Sequence, residues 1–164
     1  MTYYDTIASG YDTLYKEEQL AKLKLTLKYL HIRNIDLVLD VGCGTAFAAK
    51  EIPAKYIGID PSFGMLEQNN GKDILVQGQA ENMPFKTRQF NVVIALTSVH
   101  NFADIEKGIN EMLRVGKGRF AISVLKKSAH LEKIESILHR NFRMVRMIEE
   151  DKDFVFICST YNLL

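Results

Sequence analysis

Two cysteines in 164 residues, Cys43 and Cys158, stand too far apart to form a metal-binding pattern. No metal site is expected, and both thiols read as reduced, which points to the cytoplasm. Charge of one sign is missing too. The chain has 21 Lys and Arg against 20 Asp and Glu, a formal net charge of +1. No global field therefore draws it to nucleic acid or to a membrane, and any such partner has to be met by a local patch. The apolar runs are far shorter than a bilayer crossing requires. Met1-Thr2-Tyr3-Tyr4-Asp5 has neither the basic start nor the apolar stretch of a signal peptide. No repeat, linker or low-complexity segment interrupts the chain, and its length predicts one domain over residues 1–164 with a real core.

The most informative stretch is Leu37-Val38-Leu39-Asp40-Val41-Gly42-Cys43-Gly44-Thr45-Ala46. Its apolar half reads as a strand covered on both faces. Gly42 and Gly44 then allow a positive φ and a close approach to a ligand. A short helix is expected from Ala46 to Glu51, stopped by Pro53. A second strand, Tyr56 to Ile59, ends in Asp60. A glycine turn after a first strand cradles nucleotide-like ligands, and an acid closing the second strand accepts from ribose hydroxyls. The dinucleotide fingerprint fails, because its sixth position is Phe47 rather than glycine. Asp40 would also repel a pyrophosphate, whereas it suits a sulfonium amino acid. A nicotinamide dehydrogenase is disfavoured on both counts.

At Asp40-Val41-Gly42-Cys43-Gly44-Thr45-Ala46 the chain resembles the class I S-adenosylmethionine (SAM) methyltransferases of the type-11 branch. Their first motif is an acid, any residue, then Gly-x-Gly-x-Gly; here the last glycine is Ala46. Two further segments carry the resemblance. Gln79-Ala80-Glu81-Asn82-Met83-Pro84-Phe85 is similar to the family's adenine loop, with Gln79 in place of an acid. Its amide oxygen still accepts one hydrogen bond. The Tyr-Asp pairs around Tyr4 and Tyr11 resemble the family's N-terminal flap, which together with the helix at 17–30 makes residues 1–30 a helical flap region. Leu20, Leu23, Leu27 and Leu30 form the inner face of that helix, and Lys22, Lys24 and Lys28 read as its solvated face.

The rest of the chain alternates in the same way. A helix is expected at Phe63 to Gln68, and strands at Asp73 to Gly78, Phe90 to Leu96 and Arg119 to Leu125. A helix capped by Asp104 and ended by Gly116 carries Ile105, Ile109, Met112 and Leu113 inward. Leu131, Ile134, Ile137 and Leu138 mark another. Phe142 to Ile148 and Phe154 to Ser159 are joined by a turn short enough to demand antiparallel strands. The expected architecture is α/β: one mostly parallel, doubly wound sheet of seven strands with helices on both faces, to which the resemblance adds the order 3-2-1-4-5-7-6. The basic stretch from Lys126 to Arg146 reads as solvated surface.

The resemblance also implies site roles. Asp40 orients the glycine turn and faces the amino group of SAM, which Gly42, Cys43 and Gly44 approach through their backbone. Asp60 takes the ribose hydroxyls, Ser62 or Phe63 lines the adenine, and Pro61 belongs to the same cofactor-binding set. Gln79 and Ala80 read the adenine edge. Ala95 and Thr97 supply backbone contacts on the sulfur side. Tyr11 closes over the cofactor, and with His100 and Asn101 faces the acceptor. His100 is the candidate catalytic residue, standing where the family often shows a His-His pair. Cys43 occupies a variable slot of the glycine motif, under the cofactor, and is rejected as a nucleophile. The cofactor expected is SAM, with S-adenosylhomocysteine as product.

No insertion follows the fifth strand or separates the last two, so the acceptor pocket is expected to be open. The branch resembled holds quinone-biosynthesis enzymes and tRNA wobble-uridine esterifying enzymes, some of which depend on a small activator protein. A macromolecular acceptor, tRNA or protein, with or without such a partner, is slightly preferred to a small molecule. A SAM-binding subunit without activity is the remaining alternative.

Overall fold

A computed structural model describes residues 17, 19–71 and 73–161. Its seven strands are β1 (Leu37–Val41), β2 (Lys55–Asp60), β3 (Ile74–Gln77), β4 (Phe90–Leu96), β5 (Gly116–Leu125), β6 (Met144–Glu149) and β7 (Asp153–Ser159). They form one sheet in the order β3-β2-β1-β4-β5-β7-β6. The first five are parallel, and β7 runs antiparallel between β5 and β6. The expected order and hairpin are therefore both present.

Two cores separate along the period of the strands. Leu39 and Val41 of β1 and Val93 and Ala95 of β4 face one side. There they meet α3 (Ile105–Val115) and α4 (Leu131–Asn141). Val38, Val92 and Ile94 face the other side, against Leu23 and Leu30 of α1 (19–30). Period-two alternation inside apolar strands thus loads both faces, each large side chain contributing about 1.5–3 kcal/mol on burial. Arg119 of β5 seats the end of α1, donating to the carbonyls of Leu30 (3.0 Å) and His31 (2.9 Å) and to Asp36 (2.7 Å).

One expectation about these elements needs correction. The helix expected at Ala46 to Glu51 is a single 3-10 turn, Phe47–Lys50. Between the glycine turn and Pro53 there is too little chain for an α-helix to amortise its nucleation. The helix expected at Phe63 to Gln68 is present as α2 (Phe63–Glu67, with Gln68 as its C-cap), started by Ser62, whose Oγ accepts from the Met65 N–H at 3.2 Å. Gly116 ends α3 as expected, in an extended conformation with φ −88° and ψ 150°, and opens β5 directly. Its missing side chain also serves packing, since a Cβ there would lie 2.5 Å from the Phe120 ring. Gly116→Ala is expected to destabilise the fold by about 1–3 kcal/mol through overpacking, measured as a lower urea midpoint at unchanged slope.

Candidate functional site

The carboxyl ends of β1, β2 and β4 meet where the strand order reverses, the position at which open α/β sheets hold ligands. The glycine turn leaves β1 there. Gly42 has φ +76° and Gly44 φ +55°. A Cβ on Gly42 would stand 2.4 Å from that of Ser98, whose hydroxyl donates to the Val41 carbonyl at 2.7 Å. The turn is also tied to β2, since the Gly42 N–H donates to the Ile59 carbonyl at 2.8 Å. Ala46, in the slot of the third glycine, has φ +59° and ψ 35°. An alanine in that conformation costs about 1–2 kcal/mol, so the position still asks for glycine.

Asp60 holds two backbone segments at once. Its Oδ2 accepts from the Gly44 N–H at 2.9 Å and its Oδ1 from the Ser62 N–H at 2.8 Å. Asp40 is buried beneath the turn and accepts from the Tyr56 hydroxyl at 2.8 Å. Burial pushes its carboxyl up to about 7; the Tyr56 hydrogen bond opposes this and the Asp60 charge adds to it. Cys43 turns into the core, close enough to Gly58 that a Cβ there would lie 2.6 Å from its sulfur. Burial, with Asp40 and Asp60 nearby, pushes the thiol up, so the side chain is no nucleophile.

A cleft of about 220 Å3 opens beside this turn, lined by Gly42, Pro61, Gln79, Ala80, Asn101 and Phe102 among others. Of the residues singled out from the sequence, the structure thus gathers Gly42, Pro61, Gln79, Ala80 and Asn101 on its wall. Asp60, Gly44 and Ser62 lie immediately behind it through the hydrogen bonds above. Ala95 is buried inside β4, and the Thr97 N–H is taken by Ser123, so neither lines the cleft. His100 sits on the 3-10 turn Val99–Asn101. Burial lowers its imidazole below the usual value, partly opposed by Asp153, which leaves it neutral at neutral pH. Tyr11 and the Tyr-Asp pairs lie outside the described residues. Among those residues no cluster of His, Cys, Asp and Glu could hold a metal ion, and no helix is long and apolar enough to cross a membrane.

Several supporting residues escaped the sequence reading. Glu111 and Arg114 of α3 grip the loop after Gln79: Glu111 accepts from the Met83 N–H at 2.9 Å, and Arg114 donates to the Met83 (3.0 Å) and Phe85 (2.7 Å) carbonyls. Arg114 also pairs with Glu111, holding that carboxyl below its usual range. The i, i+3 spacing of the two was a legible signal of a pair, but not of its target. Arg114→Met is expected to lose about 1 kcal/mol of stability and to speed amide exchange in residues 79–85, with a weaker cofactor complex. Lys22 overturns its reading as a solvated side chain. It is fully buried and paired with Asp153 at 2.7 Å.

Comparison with known proteins agrees with this geometry. The family model of the methyltransferase domain matches residues 39–124. A Methanocaldococcus jannaschii protein, MJ1252, is 32% identical over 88% of this chain and 59% of its own length. A Thermobifida fusca demethylmenaquinone methyltransferase is 30% identical over 73% of this chain and 58% of its own. The chain thus spans under two thirds of the length of both these relatives. Among solved structures, the complex of the Haloferax volcanii Trm112 methyltransferase activator with a methyltransferase contains a chain that superposes with a TM-score of 0.80 at 14% identity, covering 99% of each chain. With a glycine turn at the switch point, an acid closing β2 and a matching family model over more than half its length, the chain belongs to the class I SAM-dependent methyltransferases of the type-11 branch.

Proposed function

We propose that this chain transfers the methyl group of SAM to a macromolecular acceptor, a tRNA nucleotide or a protein, with a small activator protein completing the site. The observation that carries the reading is the lack of any cover over the acceptor side within the described chain. β5 passes to α4 through residues 126–130 alone, and β6 to β7 through 150–152. Neither connection is long enough to enclose a small substrate. The likeness to a chain solved in complex with an activator, at nearly equal extent, supports the partner.

SAM supplies an electrophilic methyl on a cationic sulfur. The residues present fit such a ligand: a positive-φ glycine turn on the cleft wall, a carboxylate at the end of β2 and a buried acid under the turn. Gly42, Cys43 and Gly44 would approach it by backbone, Asp60 would take the ribose hydroxyls, and Pro61, Ser62, Gln79 and Ala80 would surround the adenine. Asp40 would face its cationic end. Tyr11 would close the site, while Ala95 and Thr97 would support the sulfur side from behind the cleft wall. His100, neutral and beside the cleft, is the side chain available to accept a proton from an acceptor that must lose one.

The Thermobifida relative favours a second reading, a quinone-like small acceptor. Transfer of labelled methyl from SAM to total tRNA, protein and lipid extracts, with and without activator, separates the two. Label in tRNA or protein that rises with activator supports the proposal. Label confined to lipid supports the second reading. Tight SAM binding with no transfer in any fraction would leave the inactive-subunit alternative.

A further inference from the structure

Lys22 projects from α1 into the sheet, and its side chain is fully buried. The ammonium lies 2.7 Å from Asp153 Oδ2, at the start of β7, and donates to Thr97 Oγ1 at 2.5 Å, just past the end of β4. Thr97 is held from a third strand as well: its N–H donates to Ser123 Oγ of β5 at 2.7 Å, and the two hydroxyls lie 3.2 Å apart. A buried ion pair is seldom an economical source of stability, because apolar side chains of similar volume do as well or better. Packing alone therefore does not explain a lysine here.

Thr97 supplies the second observation. Its φ is +56°, rare for a β-branched residue. Such backbone strain persists only where the surroundings over-determine it. The bonds from Lys22 and Ser123 do so. The turn that follows carries Ser98 beneath Gly42 and then Asn101 to the cleft wall, with His100 as its neighbour on the same 3-10 turn. The charged or titratable groups acting on His100 are Asp153 of β7, His130 at the start of α4 and Lys22 of α1.

We propose that Lys22 is a positioning residue of the methyl-transfer site: paired with Asp153 and bonded to Thr97, it locks the strained turn that presents His100 and Asn101 and fixes α1 against that edge of the cleft. The inference rests on the transfer reading above. A lysine at this point joins two distant stretches of chain to the same turn, so a shift of α1 would be felt at His100.

The test uses Lys22→Met, Asp153→Asn and the double variant, followed by NMR of the histidine imidazoles and of the amides of residues 98–101, with His100→Gln for assignment. Loss of the Lys22 charge should raise the His100 midpoint and loss of Asp153 should lower it, each by about half a pH unit or more. The double variant leaves no unpaired buried charge and should fold even if the single variants do not. In it the midpoint should return towards the wild-type value while the 98–101 amides stay displaced. Unchanged amides at 98–101 in a folded variant, or an unchanged His100 midpoint in a folded single variant, would overturn the proposal. SAM titration of the wild-type chain, run alongside, judges the transfer reading separately. Failure to bind SAM would sink that reading without altering the NMR result, and binding with an unmoved turn would sink only the role of Lys22.

Discussion

Asp60→Ala should remove measurable SAM binding, with affinity falling at least about 100-fold. The carboxylate has two tasks. It holds the Gly44 and Ser62 N–H groups at 2.9 and 2.8 Å, fixing the glycine turn against the start of α2. The second task, as proposed, is to accept from the ribose diol of the bound cofactor. A hydrogen bond to a charged group is worth about 1.5–3 kcal/mol, so losing a bidentate contact alone accounts for a hundredfold. Disordering the turn adds to that. Asp60→Asn should fall almost as far, because its amide nitrogen would meet one of the two backbone N–H donors and repel it. Calorimetric titration of both variants with SAM and its demethylated product checks this. An alanine variant that keeps affinity within about threefold of wild type would refute the placement of the ribose at Asp60.

The second large effect is a pH dependence set by Asp40. In the folded chain its carboxyl titrates at about 7, against an ordinary value of 3.8. Between those limits the folded state holds a proton that the unfolded chain has already released. Stability from this group is therefore complete below about pH 4 and is lost as pH rises towards 7, with a ceiling of about 4 kcal/mol. Above 7 the slope vanishes. Asp40→Asn should abolish the slope and be the more stable chain at pH 8, in denaturant titrations at pH 5 and pH 8. Ligand binding reverses the preference. A cationic ligand favours the charged carboxylate, so SAM affinity should rise with pH below 7 by up to about tenfold per unit and then level off. Proton release on binding, read from the heat in buffers of different ionisation enthalpy, measures the same linkage. SAM affinity that is flat from pH 6 to pH 8 would place Asp40 away from the cationic end.

The two effects differ in how far they could be foreseen. The role of Asp60 follows from its place at the end of a strand after a glycine turn, a local pattern. The titration of Asp40 depends on the depth of the turn above it and on Tyr56, which reaches it from the neighbouring strand. The same contrast runs through the helices. Asp104 was legible as a cap, and its carboxylate does accept from the Lys107 N–H at 3.1 Å. Gly116 was legible as the end of α3, but its second use as a gap for Phe120 is a contact between neighbouring elements, which no helix-stop rule contains.

The sequence by itself determined the strands, their number and the final hairpin, because apolar periodicity and turn residues act over a few positions and admit few alternatives. Together with the family resemblance it located the glycine turn, Asp60 and the Gln79–Phe85 loop. Only the tertiary structure decided which lysine of α1 is buried, that Thr97 is strained, and that Glu111 and Arg114 hold the Gln79–Phe85 loop. Lys22 looks like any surface lysine beside Lys24 and Lys28. What separates them is the carboxylate of Asp153, brought in from the far end of the chain when β7 inserts beside β5. A buried charge is tolerated only where its partner is already in place, and that partner exists only once the sheet has assembled.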